Sequence, residues 1–258
     1  MECKAAVLRA IGAPRPYGSS KPLSIETVHL DPPGLGEVMV KIHAAGLCHS
    51  DLSNISGYRP PALPMVLGHE GAGEVVELGP GVDDVKLGDH VVFQFAASCG
   101  RCVHCLEGRP QICLRAGAAA AKGELMGGGR RIRDADGVAI AHQAGVSCFA
   151  EYNVVRGSVV VIDPEFPTRT AAIFGCAVMT GVGSVINAAQ MRPGESVAIV
   201  GLGGVGMSAL LGARLAGAGT IIGLDLDPEK LDRARKMGAT HVFDAANPDT
   251  VGEILELT

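Results

Sequence analysis

Four cysteines between residues 99 and 113 are spaced Cys99-x2-Cys102-x2-Cys105-x7-Cys113. Thiolates at such short separations can close a tetrahedron around zinc, leaving no coordination position for a substrate. The same kind of spacing also suits an iron–sulfur cluster, so the residues alone leave both open. A second motif, Gly201-Leu202-Gly203-Gly204-Val205-Gly206, has the pattern GxGxxG. Alone it is weak in a chain with 36 glycines. Here it follows the apolar run Val197 to Val200 and opens a helical pattern, and an acid, Asp225, ends the next apolar run. In that setting Gly201, Gly203, Gly204 and Gly206 permit a tight turn and bring helix N-terminal amides against a pyrophosphate. Asp225 would accept hydrogen bonds from a ribose 2′-hydroxyl and repel a 2′-phosphate, which predicts NAD rather than NADP. Cys48, His69 and Cys176 are a different case. Their types are those of zinc ligands, but no local spacing joins them, and each taken alone reads as structural.

The elements that would position these groups follow from the apolar pattern. From Lys4 to about Val160, short apolar runs are separated by turns such as Pro32-Pro33-Gly34 and Gly79-Pro80-Gly81, which indicates a β-rich, barrel-like unit. Residues 37–42 alternate as a half-buried strand, and 71–76 and 90–93 read similarly. Residues 117–129, rich in Gly and Ala, are expected to form an exposed loop. Beyond about Gly175 the texture changes. A strand at 195–200, expected to be buried on both faces, leads to a helix at 205–216 and a second strand at 220–225. Asp227-Pro228-Glu229 starts a helix that runs to Met237 and closes at Gly238, and His241 begins a third strand. This is the opening of a doubly wound parallel sheet, which needs more strands than follow before Thr258. The chain is therefore expected to be a fragment, and a polypeptide ending at Thr258 to expose an unpaired sheet edge and aggregate.

Composition sets the outer bounds. Of 258 residues, 47% are apolar and 19% charged, enough hydrophobic surface to exclude a disordered chain. The net charge of −5, with no Lys/Arg block, argues against a nucleic-acid partner. From Ser196 to Ala213 no charge occurs, but the glycines and the strand-turn-helix rhythm read as buried αβ structure rather than a membrane span. The opening Met1-Glu2-Cys3-Lys4 lacks the apolar core of a signal peptide, so a cytoplasmic location is expected. In that setting the crowding of four among eight cysteines favours metal thiolates over disulfides.

Several of these features occur together in one family. Gly46-Leu47-Cys48-His49-Ser50-Asp51, the run Gly68-His69-Glu70 with Gly73, the four-cysteine loop, Gly175-Cys176 and the glycine turn keep this order and similar intervals in the zinc-dependent medium-chain alcohol dehydrogenases, which the chain resembles from end to end. The resemblance implies a GroES-like β domain over residues 1–177, with a structural-zinc lobe at about 97–115, followed by an incomplete Rossmann domain over 178–258. It implies a catalytic zinc on Cys48, His69 and Cys176, with a fourth position open, and a structural zinc on Cys99, Cys102, Cys105 and Cys113. Asp51 would orient His69, Glu70 would sit behind the metal, and Ser50 would bond the substrate hydroxyl and begin its deprotonation. His49 would lie near the cofactor pyrophosphate, Thr180 and Val205 at the nicotinamide, and Lys230 at the adenosine ribose. Phe95 would form a wall of the substrate pocket.

The implied reaction is hydride transfer between an alcohol and NAD, giving an aldehyde or ketone, in a homodimer or homotetramer at full length. A thiol-adduct (glutathione-type) formaldehyde dehydrogenase shares all these motifs. A non-catalytic, zinc-stabilised nucleotide-binding relative is the other alternative, and the joint presence of Cys48, His69, Cys176 and Ser50 argues against it. One departure concerns proton exit: many members place a relay histidine where this chain has Ser53. Cys3 and Cys148 are expected to be reduced structural thiols. His29, His43, His90, His104, His142 and His241 are expected to be surface or core groups rather than ligands.

Overall fold

Short apolar stretches punctuated by Gly and Pro fold as strands through the first two-thirds of the chain. The computed structural model describes residues Met1 to Thr258, which divide into two units, Met1–Gly175 and Cys176–Thr258. In the first unit the strands are β1 (Glu2–Leu8), β2 (Leu23–Leu30), β3 (Val38–Gly46), β4 (Met65–Val66), β5 (Glu70–Leu78), β6 (His90–Phe93), β7 (Ile132–Arg133), β8 (Ala139–His142), β9 (Tyr152–Val155) and β10 (Val159–Val161). They form a closed barrel in the order β1-β2-β7-β8-β4 and a five-stranded sheet in the order β10-β6-β5-β3-β9. Val7, Leu30, Val66, Ile132 and Ile140 fill the barrel. Val75, Val91, Phe93 and Val155 form a second apolar cluster against the sheet.

Two local expectations give way here. β3 alternates in sequence as a half-buried strand, yet Val38, Met39 and Val40 are all buried. Met39 packs into the barrel cluster while Val38 and Val40 pack into the other, so both faces of the strand have a core to meet. The Gly/Ala-rich stretch is not an exposed loop throughout. Leu114–Ala121 is a helix, as the high helix propensity of alanine favours, and Leu125 beyond it is fully buried in the barrel cluster.

The second unit contains β11 (Ser196–Val200), β12 (Thr220–Asp225) and β13 (His241–Asp244), paired in parallel with β12 in the centre. Helices Gly204–Leu215 and Pro228–Met237 make the crossovers, and Leu202, Leu210, Ala213, Ile221 and Ala234 form the core between helices and sheet. The helix start read from Asp227-Pro228-Glu229 is present: the Asp227 carboxylate accepts the Glu229 N–H at 2.9 Å, satisfying an otherwise free amide of the first turn. β11, however, is not buried on both faces. Within residues 1–258 only β12 pairs with it, and Val200 is 77% exposed, whereas Ile221 to Leu224 of β12 are buried. The uncharged stretch from Ser196 to Ala213 is split into strand, turn and helix. The helical run long and apolar enough to cross a membrane, by length and composition alone, is instead Thr168–Ala188.

Candidate metal and nucleotide sites

Strand register explains how remote ligand types meet. β3 and β5 pair antiparallel with Gly46 opposite Glu70. Cys48, just past the end of β3, and His69, just before the start of β5, therefore lie at the same end of this strand pair. Cys48 also opens the helix His49–Ser56, and Asp51 in its first turn turns back on it. One Asp51 carboxylate oxygen accepts the Cys48 N–H at 2.9 Å, and the other lies 3.0 Å from His69 Nδ1. Asp51 and His69 are both buried, so this contact fixes the ring with Nδ1 toward the carboxylate; in the neutral imidazole that favours Nδ1–H and a lone pair on Nε2. Gln143, which sequence reasoning did not single out, adds a further hydrogen bond to Asp51. No short motif marks it, because it arrives from a distant loop.

Gly175 brings the chain back to the same region. A Cβ there would overlap the Phe93 carbonyl oxygen at the end of β6, so only glycine allows the backbone this close. Cys176 follows it directly in the chain. Cys48, His69, Glu70 and Cys176 each offer one ligand atom, all within 4.8 Å of one another. Two sulfurs, an imidazole nitrogen and a carboxylate oxygen form a donor set suited to zinc. Burial pushes the Cys48 thiol up, but the Ser50 amide, the Ser50 hydroxyl and His69 outweigh it and hold it below its ordinary value. The Asp51 carboxyl is likewise raised by burial, and His69 and the Cys48 amide bring it down overall. These contacts favour the thiolate at Cys48 and the carboxylate at Asp51. Ser50, expected at a substrate hydroxyl, has its own hydroxyl on the Cys48 sulfur. Ser53 donates to the His49 carbonyl at 3.1 Å, and His49 itself is exposed. Phe95 stacks edge-to-face on His69, with ring centroids 5.9 Å apart.

The four-cysteine loop is the second cluster. Cys99, Cys102, Cys105 and Cys113 place their sulfurs within 4.8 Å of one another, with Cys102 at 3.5 Å from Cys105 and 3.9 Å from Cys113. A zinc–sulfur bond of about 2.3 Å implies a tetrahedral edge of about 3.8 Å, which these separations match. An iron–sulfur cluster would hold its thiolates farther apart, because several iron and sulfide ions stand between them, so the geometry favours a single tetrahedral ion. All eight cysteines are free of disulfides. The Cys105 and Leu114 amides draw Cys102 down to about 6, while burial and the Cys102 sulfur push Cys105 up to about 11. Cys3 and Cys148 lie buried outside both clusters, with thiols pushed up by burial. His142 is a core residue whose Nε2 accepts the Arg131 N–H at 3.0 Å.

In the second unit the Gly201–Gly206 turn joins β11 to the helix Gly204–Leu215. Gly206 is held against the Gly201 carbonyl, where a Cβ would overlap it, so the helix starts directly over the turn. Asp225, at the end of β12, accepts the Leu202 N–H at 2.7 Å and the Asp227 N–H at 3.0 Å. These amides hold its carboxyl below the usual carboxylate range. Lys230 Nζ lies 3.4 Å from the same carboxylate, which joins Lys230 to the group of residues around the turn. Thr180 and Val205 sit on helices that pack against each other, both with exposed side chains.

Comparison with known proteins gives the same picture. Residues 34–165 match the alcohol dehydrogenase GroES-like domain, and residues 204–258 match the zinc-binding dehydrogenase domain. The chain is 44% identical over 250 residues to an S-(hydroxymethyl)glutathione dehydrogenase of Synechocystis sp., covering 96% of this chain and 64% of that protein. A protein of the same name from Escherichia coli is 43% identical, with 90% of this chain and 63% of the relative aligned. The chain thus spans somewhat under two-thirds of the length of these curated relatives. Among solved structures, an alcohol dehydrogenase zinc-binding domain protein from Burkholderia ambifaria superposes with a TM-score of 0.92 at 40% identity, covering 100% of this chain and 68% of that one. Benzyl alcohol dehydrogenase from Acinetobacter calcoaceticus superposes with a TM-score of 0.89 at 33% identity, with the same coverage. With a GroES-like barrel, two clusters of zinc-type ligands and the opening of a Rossmann sheet, the chain belongs to the zinc-dependent medium-chain alcohol dehydrogenases.

Proposed function

We propose that this protein interconverts alcohols with aldehydes or ketones, transferring hydride to and from NAD. The observation that carries this reading is the convergence of Cys48, His69, Glu70 and Cys176 within 4.8 Å, with Asp51 holding His69 from behind. Folding alone does not require two thiols, an imidazole and two carboxylates in one place, and burying them together is unfavourable without a cation. Cys48, His69 and Cys176 would hold a catalytic zinc, and Cys99, Cys102, Cys105 and Cys113 a structural one. Zinc in the first position supplies Lewis acidity, lowering the pKa of an alcohol oxygen as it lowers that of water.

The chain's own residues do the rest. Asp51 keeps His69 in the tautomer that presents Nε2. The Ser50 hydroxyl, which bonds the Cys48 sulfur, would accept the substrate hydroxyl proton while releasing its own outward. Ser53 is committed to the helix backbone, so the proton leaves without a histidine at that position. His49 would face the pyrophosphate. The amides of the turn carrying Gly201, Gly203, Gly204 and Gly206 would bind the same group, and Asp225 with Lys230 would meet the adenosine ribose. Thr180 and Val205 would bear on the nicotinamide. A second reading, oxidation of a glutathione–formaldehyde adduct, is favoured by the names of the curated relatives.

Metal analysis with an alcohol panel, followed by NADH absorbance, tests the proposal. Two zinc ions per chain are expected, with Cys48→Ala losing one of them together with turnover. A single zinc that survives Cys48→Ala would remove the catalytic site. Formaldehyde turnover only in the presence of glutathione would favour the second reading.

A further inference from the structure

A cavity of about 520 Å³ lies in the first unit, with Phe95 in its wall. That volume falls within the range of roughly 300–1,000 Å³ typical of small-molecule sites. Phe95 is also the residue whose ring meets His69 edge-on, so one aromatic side chain links the candidate zinc ligand to this space. The helix Leu114–Ala121, unforeseen in the sequence, supplies one side of the cavity through Ala116, Ala118 and Ala120. Ala97 and Met126 line other parts of it. Small side chains on one wall leave room that larger ones would fill. No lysine or arginine lines the cavity, and its ionisable groups are Glu124 and the metal-type ligand Cys113.

We propose that this cavity receives a bulky, uncharged, aromatic group of the alcohol substrate. The inference rests on the alcohol-oxidoreductase reading and selects within it. An aromatic group would be covered by alanine methyls, a methionine and the Phe95 ring, which gain from excluding water. A glutathione adduct carries two carboxylates. Here they would find no cation and would approach Glu124, losing hydration without a compensating partner. Ethanol is too small to use the space at all.

The test compares 2-naphthylmethanol, ethanol and S-(hydroxymethyl)glutathione as substrates of the zinc-loaded protein with NAD. Calorimetric binding of 2-naphthylmethanol gives a readout independent of turnover. The aromatic alcohol is expected to exceed ethanol in kcat/KM by about 100-fold, the scale on which an apolar pocket discriminates by size. Ala120→Phe is expected to erase that advantage and weaken calorimetric binding about tenfold while leaving ethanol turnover unchanged. Ala116→Leu serves if the larger replacement does not fold. Preference for the glutathione adduct, equal use of both alcohols, or equal losses for both in Ala120→Phe would overturn the inference while leaving the dehydrogenase reading intact. Should no alcohol turn over, that reading fails. The cavity is then judged by binding alone, upheld if Ala120→Phe weakens it and overturned if 2-naphthylmethanol does not bind.

Discussion

Asp51→Asn isolates the positioning of His69 from the metal ligands themselves. The replacement preserves shape, but Asp51 is 3% exposed, so solvent cannot compensate for what it loses. Besides Gln143, two donors face the Asp51 carboxylate, one on each oxygen: the Cys48 N–H at 2.9 Å and His69 Nδ1–H at 3.0 Å. An asparagine has one acceptor oxygen and must turn its NH2 toward the other donor. If it keeps Cys48, His69 loses its partner and either rotates or moves the proton to Nε2, removing the lone pair that would bind zinc. The loss of one charge-assisted hydrogen bond is about 1.5–3 kcal/mol. That agrees with the 10–100-fold drop in metal affinity typical of removing a carboxylate behind a ligating histidine, equivalent to about 1.4–2.7 kcal/mol. Competition with chelators of graded strength measures it. Zinc release from the native protein is expected in two phases, one for each cluster. Asp51→Asn should shift only the phase that Cys48→Ala abolishes, because Asp51 touches none of Cys99, Cys102, Cys105 or Cys113. Unchanged release would refute the argument, and an equal shift of both phases would show general loosening rather than loss of histidine orientation.

Other outcomes follow from single contacts. Gly206→Ala places a methyl on the Gly201 carbonyl, and should destabilise the second unit by about 1–3 kcal/mol in urea unfolding and abolish NAD binding. Asp225→Ser removes the charge that repels a 2′-phosphate, so the NADP-to-NAD ratio of kcat/KM should rise at least about tenfold, one bidentate ribose contact being of that order. It also frees the Leu202 amide, so NAD affinity should fall rather than stay constant. His142 is fully buried, and burial followed by Arg130 and Arg131 lowers its pKa to about 3. The unfolded chain takes up a proton near pH 6.5 that the native state refuses, so stability should fall by up to about 1.4 kcal/mol per pH unit from there down to about 3. His142→Gln, which keeps an acceptor for the Arg131 N–H, should flatten that slope in unfolding titrations; an unchanged slope would place the titrating group elsewhere.

Where partners are close along the chain, the sequence alone specified the structure. The four-cysteine loop closes over a few residues, so its spacing already confines the sulfurs, and the structure adds separations that favour one tetrahedral ion over a cluster. The glycine turn, the Asp227 cap and the helix ending at Met237 are likewise local, governed by backbone sterics and by amides that need acceptors. Residues 117–129 misled because Gly/Ala richness is compatible with both loop and helix. The helix Leu114–Ala121 and the burial of Leu125 are settled by packing against the barrel. β11 differs from its reading because burial needs neighbours: an apolar run records what could be buried, and within residues 1–258 only β12 pairs with it. Cys48, His69 and Cys176 depend most on tertiary structure. Their meeting requires the Gly46–Glu70 register, the Asp51 side chain turned back across a helix start, and Gly175 pressed against Phe93, three contacts made between segments far apart in sequence. Ligand chemistry was therefore written in residue types, but which of those residues come together was decided by strand pairing and close packing, which no local spacing encodes.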